Sequence, residues 1–167
     1  MIHSHCVRHQ NLAWLVFALL TNFGVITASG LESDQLKMLR DPGGWQYIKV
    51  SDASLGVQTE HTCFDGQPHP EECSGTLTLT SGNTFVQSLR IQGGGYQRHG
   101  TYRLDGDQLT LFDELGTRDG PYTVSVNLQR KTMVMQMSPA GGNVRCQFML
   151  NREYHKQRKV HGKAKQG

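Results

Sequence analysis

Between residues 61 and 73 the chain gathers His61, Cys63, His69, Glu71 and Cys73. Imidazole nitrogens and thiolates would suit zinc or copper. The spacing matches no recognised zinc pattern, however, and oxidation of the cysteines would remove the thiolate ligands. A disulfide is therefore the expected chemistry, and neither a metal site nor any other cofactor is expected. Cys63 and Cys73 flank a turn-rich loop containing Gly66, Pro68 and Pro70, and are the natural pair. Closing so short a loop contributes about 2–3 kcal/mol in the chain-entropy view. Cys146 is the odd thiol, and a bridge from it to Cys63 or Cys73 is the alternative pairing.

Catalysis finds little footing. Ser, His and Asp all occur, but nothing resembles a strained nucleophile elbow or a paired-carboxylate motif. Asp113 and Glu114 are adjacent, and neighbouring strand residues face opposite ways. Gly93-Gly94-Gly95 with Arg98 lacks a following helix whose N-terminus could cradle a phosphate. It reads as a hairpin loop at a barrel mouth. The chain is expected not to be an enzyme.

The elements that would position these residues are strands. Around Asp105-Gly106 two alternating runs face each other. Asp-Gly suits a type I′ turn, which needs φ > 0 at both central residues. Such a turn pairs Leu104 with Asp107 and Tyr102 with Leu109, leaving Tyr102 and Leu109 on one apolar face. Upstream, Trp45–Val50 reads as a strand, and a weaker one follows at Val57–Thr62. Leu77 and Leu79 alternate with threonines before a turn at Ser81-Gly82-Asn83. Phe85, Leu89 and Ile91 share a parity, with the polar Gln87 among them. A buried amide must be hydrogen-bonded, so Gln87 orients a ligand, pairs with Tyr102 or Tyr122, or marks a bulge.

Gly116–Gly120 reads as a loop. Tyr122, Val124, Val126 and Leu128 alternate, as do Met133, Met135 and Met137. A two-residue turn at Arg130-Lys131 would set Leu128 opposite Met133 and Val126 opposite Met135. Pro139–Asn143 is another loop, and Val144, Cys146, Phe148 and Leu150 complete the set, with Cys146 pointing inward. Strict period-two alternation means one face buried and one wet. No segment between strands is long enough for a crossover helix, which excludes a parallel α/β sheet. The expected fold is all-β: a small antiparallel up-and-down barrel of eight or nine strands.

Composition sets the frame around this domain. Arg8 and nearby histidines precede an apolar run over Leu12–Ala28 that ends in Ala28-Ser29-Gly30. Residues 1–30 read as a cleaved signal peptide, with an uncleaved anchor as the competing reading. No cysteine follows the small residues, which argues against a lipid anchor. No second run is long enough to span a membrane. Residues 31–42 form an N-terminal segment with a short helix near Ser33–Arg40, capped by Ser33 and ended by Asp41-Pro42-Gly43-Gly44. Residues 43–152 form the barrel, and 153–167 a basic, disordered tail. The net charge of +3 hides an asymmetry. From Arg152 onward six Lys/Arg face one Glu, leaving residues 31–151 at about −3. The tail could touch anionic membrane, polysaccharide or nucleic acid, but such tails are usually solvated, and no nucleic-acid partner is expected.

Three groups of residues bring this layout close to a known one. They are Gly43-Gly44-Trp45, the run Thr78–Phe85 followed by Gly100–Leu111, and Leu150-Asn151-Arg152. The layout resembles the lipocalin-like domains of the calycin superfamily. There Gly-x-Trp opens the first barrel strand, and a basic residue of the closing strand packs on the Trp. The resemblance implies an up-and-down barrel with Trp45 and Arg152 (or Arg145) at its closure, and an apolar cavity that could take a ligand.

The leading functional expectation is an exported, secreted or periplasmic, non-enzymatic binding module. A small apolar or amphipathic molecule would sit in the barrel. Its wall residues would be Gln87, Tyr102, Tyr122, Met133, Met135 and Phe148. The alternative is a filled barrel acting on a protein partner through surface loops, notably the one between Cys63 and Cys73. A connected apolar cavity of about 300 Å³ or more favours the first reading and a packed interior the second.

Overall fold

The computed structural model describes residues 30–52, 59–63, 73–92, 94–137 and 143–164. The signal peptide, apart from Gly30, the interior of the Cys63–Cys73 loop with His69 and Glu71, and the loop expected at Pro139–Asn143, apart from Asn143, lie outside the described residues.

Strands dominate, as the alternation requires. After helix α1 (Ser33–Leu39) come β1 (Trp45–Asp52), β2 (Thr59–Thr62), β3 (Cys73–Leu79), β4 (Thr84–Ile91) and β5 (Gly94–Asp105). Next are β6 (Gln108–Asp113), β7 (Arg118–Asn127), β8 (Thr132–Met137), β9 (Val144–Leu150) and helix α2 (Asn151–Ala164). The sheet runs β2-β1-β3-β4-β5-β6-β7-β8-β9, and β1 also pairs with β9. β1 and β3–β9 thus close into an eight-stranded antiparallel barrel, with β2 as an added strand. Closure leaves the barrel strands without the long free edge of an open sheet.

β1 divides one of its edges between two partners. Trp45 and Gln46 pair with Leu77 and Thr76 of β3, whereas Lys49–Asp52 pair with β2. The handover coincides with a bulge between Tyr47 and Lys49 in the β1–β9 ladder. A bulge inserts one residue and resets parity, so Tyr47 and Val50 both face inward.

The two hairpins expected from turn chemistry form, each with a different register. In the β5–β6 hairpin Leu104 faces Leu109 and Tyr102 faces Leu111, so the turn residues are Gly106-Asp107. Gly106 has φ +63°, and among the described residues Asp107 is not one of those with positive φ. Positive φ at the first central position alone is the type II′ pattern, in which glycine belongs first. In the β7–β8 hairpin Val126 faces Met133 and Val124 faces Met135. Leu128–Lys131 form a four-residue loop, because the Asn127 side chain accepts the Arg130 N–H at 2.8 Å and starts the turn early. Both corrections move the partner by two residues, so every side chain keeps its face.

Four other expectations shift. Gly94 and Gly95 belong to β5, so the break before the hairpin is shorter than a glycine loop. Residues 118–120 belong to β7, where a loop was expected. Glu32, not Ser33, caps α1, through a reciprocal capping box with Gln35. Residues 151–164 are helical, although the tail from 153 to 167 was expected to be disordered; 165–167 lie outside the described residues. Arg, Lys, Glu and Gln are good helix formers, and the helix starts directly from β9 with the Asn151 N–H on the Gly44 carbonyl at 3.0 Å.

α1 covers one end of the barrel. Leu39 is fully buried, Met38 and Leu31 pack on the core, and Gln35 Nε2 donates to the Val126 carbonyl at 3.0 Å. Trp45, also fully buried, sits beneath it and donates its indole N–H to the Leu39 carbonyl at 3.0 Å.

Candidate functional site

The side chains expected to surround a ligand are all buried. Met133 and Phe148 are 0% exposed, Met135 2%, and Tyr102 and Gln87 4% each. Tyr122, the sixth of them, is 8% exposed. Tyr102 belongs to the α1 end: its hydroxyl donates to the Thr80 carbonyl at 2.7 Å and accepts from Arg40 Nε at 2.9 Å.

Toward the opposite end the interior turns polar. Gln87 on β4 donates through Nε2 to the Tyr47 hydroxyl on β1, and its Oε1 accepts from Arg98 Nε on β5 at 2.6 Å. Arg98 also donates from Nη2 to Asp119 Oδ2 on β7 in an ion pair. The other Asp119 oxygen accepts the Tyr122 hydroxyl at 2.5 Å. Five side chains from four strands thus form one continuous chain. Gln87 therefore pairs with Tyr47 and Arg98 rather than with Tyr102 or Tyr122. The Arg98 guanidinium lies over Tyr96 (5.2 Å to the ring centroid) and near Phe85 (5.9 Å), positions where the ring faces attract the cation.

Burial and neighbouring charge shift several titrating groups here. Burial, then the hydrogen bond and charge of Asp119, push the Tyr122 hydroxyl far up. Burial does the same to Tyr47. Burial works against the Arg98 charge, but Asp119 outweighs it and raises the guanidinium. Burial, with Asp119 and Asp52 nearby, pushes the Cys146 thiol up to about 12. A protonated, buried thiol and two neutral phenols are weak nucleophiles near neutral pH. Among the described residues the one buried side-chain N or O atom without a hydrogen-bond partner is Asn151 Oδ1, which lies outside this hydrogen-bonded chain.

Cys63 and Cys73 are joined, with Cα atoms 4.4 Å apart, and tie the end of β2 to the start of β3. Cys146 is a buried free thiol. Intact protein should therefore contain one disulfide and label at Cys146 only after denaturation, as peptide mapping with and without denaturant would read. Rapid native labelling of Cys146 would contradict its inward position in β9.

At the closure, Trp45 faces Leu150 across β1–β9. The Arg152 side chain is 59% exposed, its guanidinium 3.4 Å from Asp41. It ties α2 to the turn after α1. Among the described residues no group of three or more His, Cys, Asp or Glu could hold a metal, and no helix is long and apolar enough to cross a membrane.

Sequence reasoning missed Tyr47, Arg98 and Asp119. Period two carried back from Tyr102 would have placed Arg98 and Tyr96 inward, had β5 been extended through the glycines. Tyr47 shares the parity of Trp45. Asp119 was hidden: a register shift between Leu109 and Leu111 in the β6–β7 ladder lets it face inward three residues before Tyr122.

The class defined by this geometry is the closed eight-stranded antiparallel barrel with a buried interior that is polar at one end. No protein-family model matches the chain, and no curated protein matches it significantly.

Proposed function

We propose that the chain is an exported, lipocalin-like barrel of the calycin type that acts as a non-enzymatic binding module through its surface. Apolar storage is the weaker reading. The observation that carries the proposal is the burial of the intended wall: Met133, Met135 and Phe148 are at most 2% exposed. Side chains that already fill one another's contacts offer a ligand no apolar area to cover. The interior polar chain supports the same reading, since a ligand headgroup would have to break hydrogen bonds that are already made. Export is supported by the disulfide, which persists in oxidising compartments.

An anilinonaphthalene sulfonate dye tests this. The native protein should show no saturable dye binding that fatty acids displace. Met135→Trp should cost about 1–3 kcal/mol by overpacking, read from the urea midpoint. Stoichiometric dye binding, displaced by fatty acid and abolished by a stably folded Met135→Trp variant, would restore the ligand-storage reading.

A further inference from the structure

We infer that the exposed part of α2 is a docking face for an anionic polysaccharide. The inference deepens the surface-binding reading by naming the surface and the partner's chemistry. α2 is held at its root. Tyr154 is buried, the Asn151 N–H is bonded to Gly44, and Arg152 reaches Asp41. Beyond Tyr154 every residue from His155 to Val160 is exposed. Six consecutive exposed residues reach all sides of a helix, so this stretch presents side chains to solvent all round.

Its content is cationic. Lys156, Arg158 and Lys159 lie in those six positions, and Arg152 stands one turn earlier on the same side as Lys156 and Lys159. Along the axis Arg152, Lys156 and Lys159 are separated by about 6 Å and 4.5 Å, at 1.5 Å per residue. Lys156 also pairs with Glu153 at 3.0 Å, and with that acid counted residues 153–160 carry a net charge of +2 (three Lys/Arg less one Glu). The barrel body is mildly acidic, so the positive field is concentrated on this arm.

Charge complementarity calls for a polyanion, and the helix surface chooses among polyanions. Membrane insertion needs an apolar face, and Val160 is the one apolar residue between 155 and 160. Single-stranded nucleic acid is held by stacking on exposed aromatics, and the aromatic of this helix's first turns, Tyr154, is buried. Sulfated or carboxylated polysaccharide needs only spaced cations. The Cys63–Cys73 disulfide fits the oxidising compartment in which the export reading places this arm.

The test uses the full mature chain and labelled dextran sulfate, with uncharged dextran as reference. Wild type should bind dextran sulfate with an affinity that falls steeply with salt. The variant Lys156→Gln/Arg158→Gln/Lys159→Gln should bind at least about tenfold more weakly, and its log affinity against log salt should be shallower by about 2–3. Lys156→Arg/Lys159→Arg should bind like wild type. Arg90→Gln/Arg103→Gln/Arg118→Gln, which removes the same charge from exposed barrel positions, should also bind like wild type. All variants are checked for an unchanged melting curve. Four results would overturn the inference: no binding by wild type, an equal loss in the barrel variant, loss in the arginine variant, or tighter binding of a single-stranded polynucleotide or phosphatidylserine-rich vesicles at matched charge. None of these would touch the filled barrel, which the dye experiment judges separately.

Discussion

Trp45→Ala should cost about 3–5 kcal/mol, read as a lower urea midpoint, because it empties the largest buried side chain at the α1 end. Trp45 is 0% exposed and stands where β1, β3, β9 and α1 meet. Its removal takes away core volume and leaves the Leu39 carbonyl without its indole donor. Trp45→Phe separates the two effects: it keeps most of the apolar volume and loses the hydrogen bond, a change of about 1–2 kcal/mol. A Trp45→Ala midpoint within error of wild type would mean that α1 and the barrel floor do not depend on each other.

Asp119→Ala should be the second most damaging change, at about 2–3 kcal/mol. Breaking a fully buried ion pair costs more, but Asp119 and Arg98 keep 19% and 24% of their side-chain surface, so water softens the loss. The substitution strands the Arg98 guanidinium among Tyr96, Phe85 and Gln87 and leaves the Tyr122 hydroxyl without its acceptor. Arg98→Met on top of Asp119→Ala should recover part of the loss, since the double variant no longer buries an unpaired charge. Additive losses in the urea midpoints would show that the two residues do not act as a pair.

The contrast between these predictions marks what a sequence reveals. Trp45, Met133, Met135 and Phe148 announce themselves through alternation, because burial on one face is a period-two property. The barrel class follows from the same pattern. Ladder partners are harder to read: shifting a hairpin by two residues preserves every face, so apolar patterning cannot separate Leu109 from Leu111 as the neighbour of Tyr102. Turn chemistry decides it, and glycine in the first rather than the second turn position changed the outcome. The Arg98–Asp119 pair depends on a bulge, which has no composition of its own. The helicity of α2 was masked by its charge, which reads as solvation although the same residues favour helix.

The division of the β1 edge bears on how the ring holds together. The β1–β9 ladder has seven residue pairs and the β3–β4 ladder seven, whereas β1 and β3 share two. The circumference is therefore stitched unevenly, with one short seam. The Cys63–Cys73 bond lies beside it, fastening the strand that takes over the rest of β1 to the strand that gives it up. Without that fastener, lateral parting of the ring would begin between β1 and β3. The remaining ladders would form a continuous ribbon.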